Sequence, residues 1–396
     1  MRARVATTCS LVATLALGSL GVVALLGPTA GAGADQPQAP SHALTVEQVL
    51  SGATLHHRFT PVGTAVTATE PLADPDDISQ LGDTLFVGFQ NGVGPQGQPS
   101  ASGDQDSTVV QLTLTGRVLG QWDIQGKADG VTADPAFGGA IATVNEDADS
   151  ALYVIRPGHG AATRYAYDET LPHGGGTDAI TVYDGRILIS ASAPGTTGAA
   201  APQPDYPAVY SVVLHPNSDV AAVTPLFFDE DTATVANVGS QLGHSTQLAL
   251  TDPDSNERVP FQAPRFGGSF MLTSQGDLQQ IFVSGVGTAR QHLSVLDLTQ
   301  SVDDTAWAVG PGALYTTDST DDTVDVVTGP FPGDEPIVAA TPCGSNSAPG
   351  VCPGPGYPAN YLGALNPWTG QVRTLSLRGV PYTPQGGLAW VSTPSW

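Results

Sequence analysis

The amino-acid sequence predicts an all-β chain folded as a β-propeller, with six blades favoured and seven as the alternative. Three observations predict it. Gly and Pro number 47 and 33 among 396 residues, more punctuation than a helical domain tolerates. Short runs of alternating apolar and polar residues recur, as half-buried strands require. A strand unit led by an aspartate returns roughly every 50 residues, a period that belongs to propeller blades.

The chain opens with Arg2 and Arg4, an apolar run from Leu11 to Leu26, and the small-residue site Ala32-Gly33-Ala34. That order describes a secretory signal peptide cleaved after Ala34. The apolar run falls short of the roughly 20 residues a spanning helix needs, so the expected product is secreted, without membrane insertion. Residues 35–396 are expected to form one propeller domain. They carry 11 basic against 37 acidic residues, a formal charge of −26. Such a surface excludes nucleic acid and anionic lipid as partners and suits solubility, cations or a cationic ligand. A monomer is expected, meeting an extracellular ligand or protein.

Next in order, Ala43 to Leu50 reads as the one helix, and residues 55–70, including the strand-edge pair His56-His57, as N-terminal material that helps close the ring. "STVVQLTLTG" then puts Val110, Leu112 and Leu114 on one face and Gln111, Thr113 and Thr115 on the other. "ATRYAYDE", "PAVYSVVLHP" and "HLSVLDLTQ" repeat this alternation, and "LGALNPWTGQVRTLSL" adds a hairpin turn at residues 366–370. "DDIS" at Asp76, "DGVT" at Asp129, "DAIT" at Asp178 and "DTAW" at Asp304 align as blade starts. Degenerate copies lie in "HSTQLALTD" near Ser245 and in "QGGLAWVS" from Gln385. The expected inner strands are therefore 78–81, 130–133, 179–182, 246–250, 305–309 and 387–391. "DPDSNE" at Asp252 begins like a calcium loop but lacks its glycine and final glutamate, and reads as a polar turn. Cys9 leaves with the leader, and Cys343 and Cys352 remain in "CGSNSAPGVC". An even pair outside the cell predicts a disulfide.

The Asp-led blade start resembles that of NHL-type and gluconolactonase-type six-bladed propellers. "LFVGFQNGVG", "STVVQLTLTGRVLGQWDIQGK", "DGVTADP", "ATVNEDADSALYVI" and "DDTVDVVTGPF" resemble more narrowly a group of exported bacterial propeller proteins of unassigned activity. The gluconolactonase likeness implies a metal-binding Glu in the first blade and an Asn in a "PNG" turn. This sequence departs from both, with "PDDIS" in the first blade and no "PNG".

In a propeller, the starts of inner strands and the ends of second strands share one mouth of the central channel. That geometry gathers Asp76, Asp129, Asp178 and Asp304 with Asn145 and Glu146 as candidate cation ligands, an oxygen-rich set that suits Ca²⁺. Asn91, His173, His244 and Asp318 are candidate ligand contacts at the same mouth. The repeated aspartates equally suit a structural role, accepting N–H bonds from neighbouring loops. No G-x-S-x-G elbow, H-E-x-x-H or phosphate-cradling glycine loop occurs. Two functions are expected to compete: a propeller that binds a ligand or partner at its mouth, and a metal-assisted lactonase or related hydrolase.

Overall fold

A computed structural model describes residues 43–171, 176–192, 206–333, 335–343, 352, 360–377, 380–384 and 386–392. The expected signal peptide and His173 lie outside them. No helix among the described residues is long and apolar enough to cross a membrane.

The chain starts with β1 (Thr45–Ser51), a 3-10 turn (Gly52–Thr54) and a hairpin of β2 (His56–Phe59) and β3 (Ala68–Pro71). An antiparallel sheet follows, β4 (Pro75–Leu81), β5 (Thr84–Phe89), β6 (Asp106–Thr113) and β7 (Val118–Gln125). Then come β8 (Ala128–Asp134), β9 (Gly139–Val144), β10 (Ala151–Ile155) and β11 (Thr163–Tyr167). β12 (Ile180–Tyr183), β13 (Arg186–Ser190), β14 (Pro207–His215) and β15 (Val220–Phe228) run in the same way. These two sets join into one eight-stranded sheet through a short parallel pairing of Ala166 with Val220 and Tyr167 with Ala221.

The hairpin β16 (Thr232–Val235) and β17 (Ser245–Gln247) lies outside β18 (Pro253–Arg258), β19 (Phe270–Ser274), β20 (Gln279–Ser284) and β21 (His292–Asp297), giving six strands. After β22 (Val302–Ala306) the chain leaves its sheet to make β23 (Gly312–Asp318) and β24 (Thr323–Thr328). It returns as β25 (Ile337–Ala340), β26 (Tyr361–Leu365) and β27 (Val372–Thr374), which complete the sheet begun by β22. A small pair, β28 (Ser376–Leu377) and β29 (Val380–Pro381), precedes β30 (Leu388–Ser392). β30 pairs with β23, and β1 with β24, so both ends of the chain complete one sheet.

The arrangement is propeller-like. β4 touches β8, β8 touches β12, and the contacts continue through β18, β22 and β30 back to β4. Apolar clusters fill the gaps between neighbouring sheets: Leu85, Val87 and Phe89 meet Tyr315, Val324 and Val391 in one, and Leu188 and Phe227 meet Phe270 and Leu272 in another. Burying such side chains stabilises by about 1.5–3 kcal/mol each.

Four expectations are corrected. Residues 45–51 form an edge strand rather than a helix, because β24 offers a free row of backbone partners, and a bulge between Gln48 and Leu50 lets the strand bury Leu50. Closure uses this strand rather than residues 55–70. The fourth inner strand is 253–258 instead of 246–250, so "DPDSNE" is no turn. His57 is buried, only His56 staying exposed. The disulfide between Cys343 and Cys352 is present.

Candidate functional site

Five inner strands carry an aspartate two residues before the regular ladder runs: Asp76, Asp129, Asp178, Asp254 and Asp303. The pairing slips between Pro75 and Ile78, Ala128 and Val131, Pro253 and Asn256, and Val302 and Thr305. Such a bulge bends the strand and re-aims its side chains. All five aspartates, four of them at such bulges, line a constriction of ≈ 60 Å³ together with Gly386. Glycine is required around that ring where backbones converge. A Cβ on Gly130 would lie 2.7 Å from Ile180 N, and one on Gly387 2.7 Å from Ile78 N. Asp303 holds the ring position, whereas the sequence alignment chose Asp304.

The next residue of each start does different work. Asp77 Oδ2 accepts the Val131 N–H at 2.6 Å, and Oδ1 accepts that of Ile78 at 2.7 Å. Asp304 repeats this with Leu388 N–H at 2.6 Å and Thr305 N–H at 2.7 Å. These carboxyls tie one inner strand to the next. Thr143 Oγ1 accepts the Gly130 N–H at 2.9 Å and donates to the Asp178 carbonyl, while Thr317 Oγ1 donates to that of Asp76.

Burial dominates the electrostatics. It pushes Asp76, Asp178 and Asp254 well above the ordinary carboxylate range, helped by repulsion from other ring members. Burial raises Asp129 to about 7 although the Lys127 ammonium opposes it. It raises Asp304 to about 7 against its two N–H bonds. After burial, repulsion from Asp303 is the next largest cause that raises Asp254. Lys127 Nζ sits 2.9 Å from Asp129 Oδ1 and 2.5 Å from Glu146 Oε1. Burial works against its charge, but Asp129, Glu146 and Asp76 outweigh that and hold the ammonium above its usual value.

Of the residues expected at this mouth, the structure brings Asp76, Asp129, Asp178 and Asp304 to the constriction and Glu146 beside it through Lys127. Asn145, at φ 67°, spends its side chain on the Lys127 N–H and the Asp149 carbonyl. Asn91, at φ 54°, binds Ala73 N–H, the Asp106 carbonyl and Thr108. Asp318 caps the turn at Thr320 and Asp321. His244 is exposed in the β16–β17 hairpin at the sheet's outer edge.

Among the described residues, three His, Asp or Glu ligand atoms do not gather within 4.8 Å of one another in the channel. A cation there would take fewer carboxylates at once. The rest of its shell would come from groups such as Asn256 Oδ1, which lacks a partner, and from water. Such donors are all oxygens, the type that suits Ca²⁺ more than Zn²⁺.

Beyond the constriction the channel widens into a cavity of ≈ 530 Å³, sharing Asp77, Asn256 and Asp304 with it. Sequence reasoning missed this cavity. Its wall includes Ser79, Thr132, Thr181, Glu257, Trp307 and Trp390. Burial pushes Glu257 well above the ordinary carboxylate range, reinforced by Asp304. Trp307 is near enough to ease that shift, yet its Nε1 closes no hydrogen bond. Asn256 Oδ1, Glu257 Oε1 and Trp390 Nε1 likewise have no partner. One signal was legible: Pro253-Asp254 copies the Pro75-Asp76 start.

No family model and no curated protein matches the chain. Solved structures resemble it at a distance. The periplasmic gluconolactonase of Pseudomonas aeruginosa is 14% identical with a TM-score of 0.42, covering 89% of this chain and 99% of that one. A Lactobacillus plantarum protein is 10% identical at 0.40, covering 89% and 100%. A catalytically inactive virginiamycin B lyase from Staphylococcus aureus is 10% identical at 0.36, covering 84% and 92%. Such likeness does not extend to chemistry, and the propeller-like arrangement rests on the strand pairing itself.

Proposed function

We propose that this chain is an exported six-bladed propeller that binds a small, uncharged, hydroxyl-bearing ligand in its axial cavity, with Ca²⁺ at the carboxylate constriction. The blade count treats the eight-stranded sheet as two blades, since only two parallel residue pairs join its halves. The disulfide supports export. One observation carries the binding reading: Asn256 Oδ1, Glu257 Oε1, Trp307 Nε1 and Trp390 Nε1 are buried without partners around one cavity. Each such group left unpaired costs about 1–3 kcal/mol, and a ligand with donors and acceptors that turns these side chains toward the cavity would recover part of that. The indole faces add flat apolar surface, and the volume suits a small molecule.

A metal-assisted lactonase is the second reading. It is favoured by Asp304, which walls both cavity and constriction and titrates near neutrality. A bound cation would polarise a carbonyl, and Asp304 would hold or release a proton beside it. The test is calorimetric titration of sugars, polyols and lactones, with and without Ca²⁺, followed by assay of the lactones for turnover. Binding by the wild type that Trp390→Ala weakens supports the first reading, and turnover lost in Asp304→Asn supports the second. No binding at millimolar concentration refutes both.

A further inference from the structure

A second cluster of ionisable groups lies away from the channel, where the β2–β3 hairpin rests on the first sheet. His57 and Glu70 face each other directly across the hairpin. Asp104 comes from the loop before β6, and that loop is fastened to the hairpin by the Val62 N–H on the Gly103 carbonyl. His57 Nε2 lies 3.4 Å from Asp104 Oδ2 and 3.5 Å from Glu70 Oε1. The three atoms fall within 4.8 Å of one another. His57 is only 2% exposed, yet neither ring nitrogen has a hydrogen-bond partner, and Asp104 Oδ2 has none either.

At these separations the imidazole closes no hydrogen bond to either carboxylate. The separations match a shared tetrahedral ion: bonds of about 2.0–2.2 Å at the tetrahedral angle place donor atoms ~3.4 Å apart. The surroundings fit as well. Asp104 Oδ1 accepts the Asp106 N–H, leaving Oδ2 for the centre of the cluster. On the far side of the ring, Asp123 Oδ1 stands 3.7 Å from His57 Nδ1 and is itself held by Thr108 Oγ1 at 2.9 Å. A carboxylate facing the non-ligating nitrogen is how ligand histidines are commonly oriented.

We propose that His57, Glu70 and Asp104 bind a divalent first-row transition ion, Zn²⁺ in preference to Ca²⁺, which pins the N-terminal hairpin to the first sheet. Imidazole selects such an ion over Ca²⁺, and water fills the remaining position on the partly exposed Glu70 side.

Disulfide-intact, tag-free protein is stripped with chelator and titrated with Co²⁺ and Zn²⁺. About one Co²⁺ per chain should give the visible bands of a four-coordinate ion, displaced by Zn²⁺, and Zn²⁺ should raise the melting temperature. Glu70→Gln, at the least buried ligand, should abolish the bands, and Asp123→Asn should weaken binding by about 10–100-fold. Asp129→Asn, in the channel, should leave the bands intact, which separates this site from any Ca²⁺ there. No bands and no Zn²⁺ effect on melting in a folded wild type would overturn the proposal, leaving an imidazolium among carboxylates. Bands that survive in Glu70→Gln would overturn it too.

Discussion

Raising the pH should destabilise this protein across a range where most acidic proteins are indifferent. Burial holds Asp129 and Asp304 up to about 7 each, against 3.8 for an ordinary aspartate. Between those values the folded chain keeps a proton that the unfolded chain has released. Unfolding free energy therefore falls as pH rises from about 4, and the loss is complete once pH passes the folded value. At ~1.4 kcal/mol per pH unit, either group taken alone forfeits about 4 kcal/mol. Ring members repel one another, so their losses are shared rather than simply added. From about pH 5 to about pH 8 one such group forfeits ~2.7 kcal/mol, so thermal unfolding in chelator should show the melting temperature falling by roughly 3 °C or more. Asp129→Asn should flatten that slope, and millimolar Ca²⁺ should reverse the loss at the alkaline end. A melting temperature that is flat or rising over this range refutes the reasoning, as does an Asp129→Asn slope equal to the wild type's.

Thr143→Val keeps side-chain volume but leaves the Gly130 N–H without its acceptor; denaturant unfolding should show a loss of about 1–3 kcal/mol. Gly387→Ala drives a Cβ to within 2.7 Å of Ile78 N, and the forced backbone shift should lower stability by about 1–3 kcal/mol or more in the same assay. Thiol titration of denatured, unreduced protein should find Cys343 and Cys352 blocked, and two free thiols would contradict the bridge. Reduction should then cost about 2.5 kcal/mol, the closure entropy of so short a loop.

Much of the architecture is legible in local sequence. Alternation such as Val110, Leu112 and Leu114 fixes which face of a strand is buried, since side chains change face at every residue. The Asp-led starts at 76, 129 and 178 mark true inner strands. The even cysteine pair of a chain expected to be exported implied its bridge.

What local sequence does not encode is the partner. "PDSNER" lacks any apolar stripe, because an inner strand lining a polar channel has no core on that side, so it read as a turn. "TVEQVLS" carries helix-compatible spacing, and only the exposed edge of β24, far along the chain, makes it a strand. Choosing Asp303 over Asp304 depends on a bulge that exists only once β22 and β25 have paired. His57 looked like edge material until the loop carrying Asp104 closed over it. In each case, alternation and turn chemistry determine a strand's faces and ends. Packing among segments from tens of residues apart to as far as Thr45 and Thr328 decides its neighbours, because sheet pairing is non-local and many edges compete for the same strand.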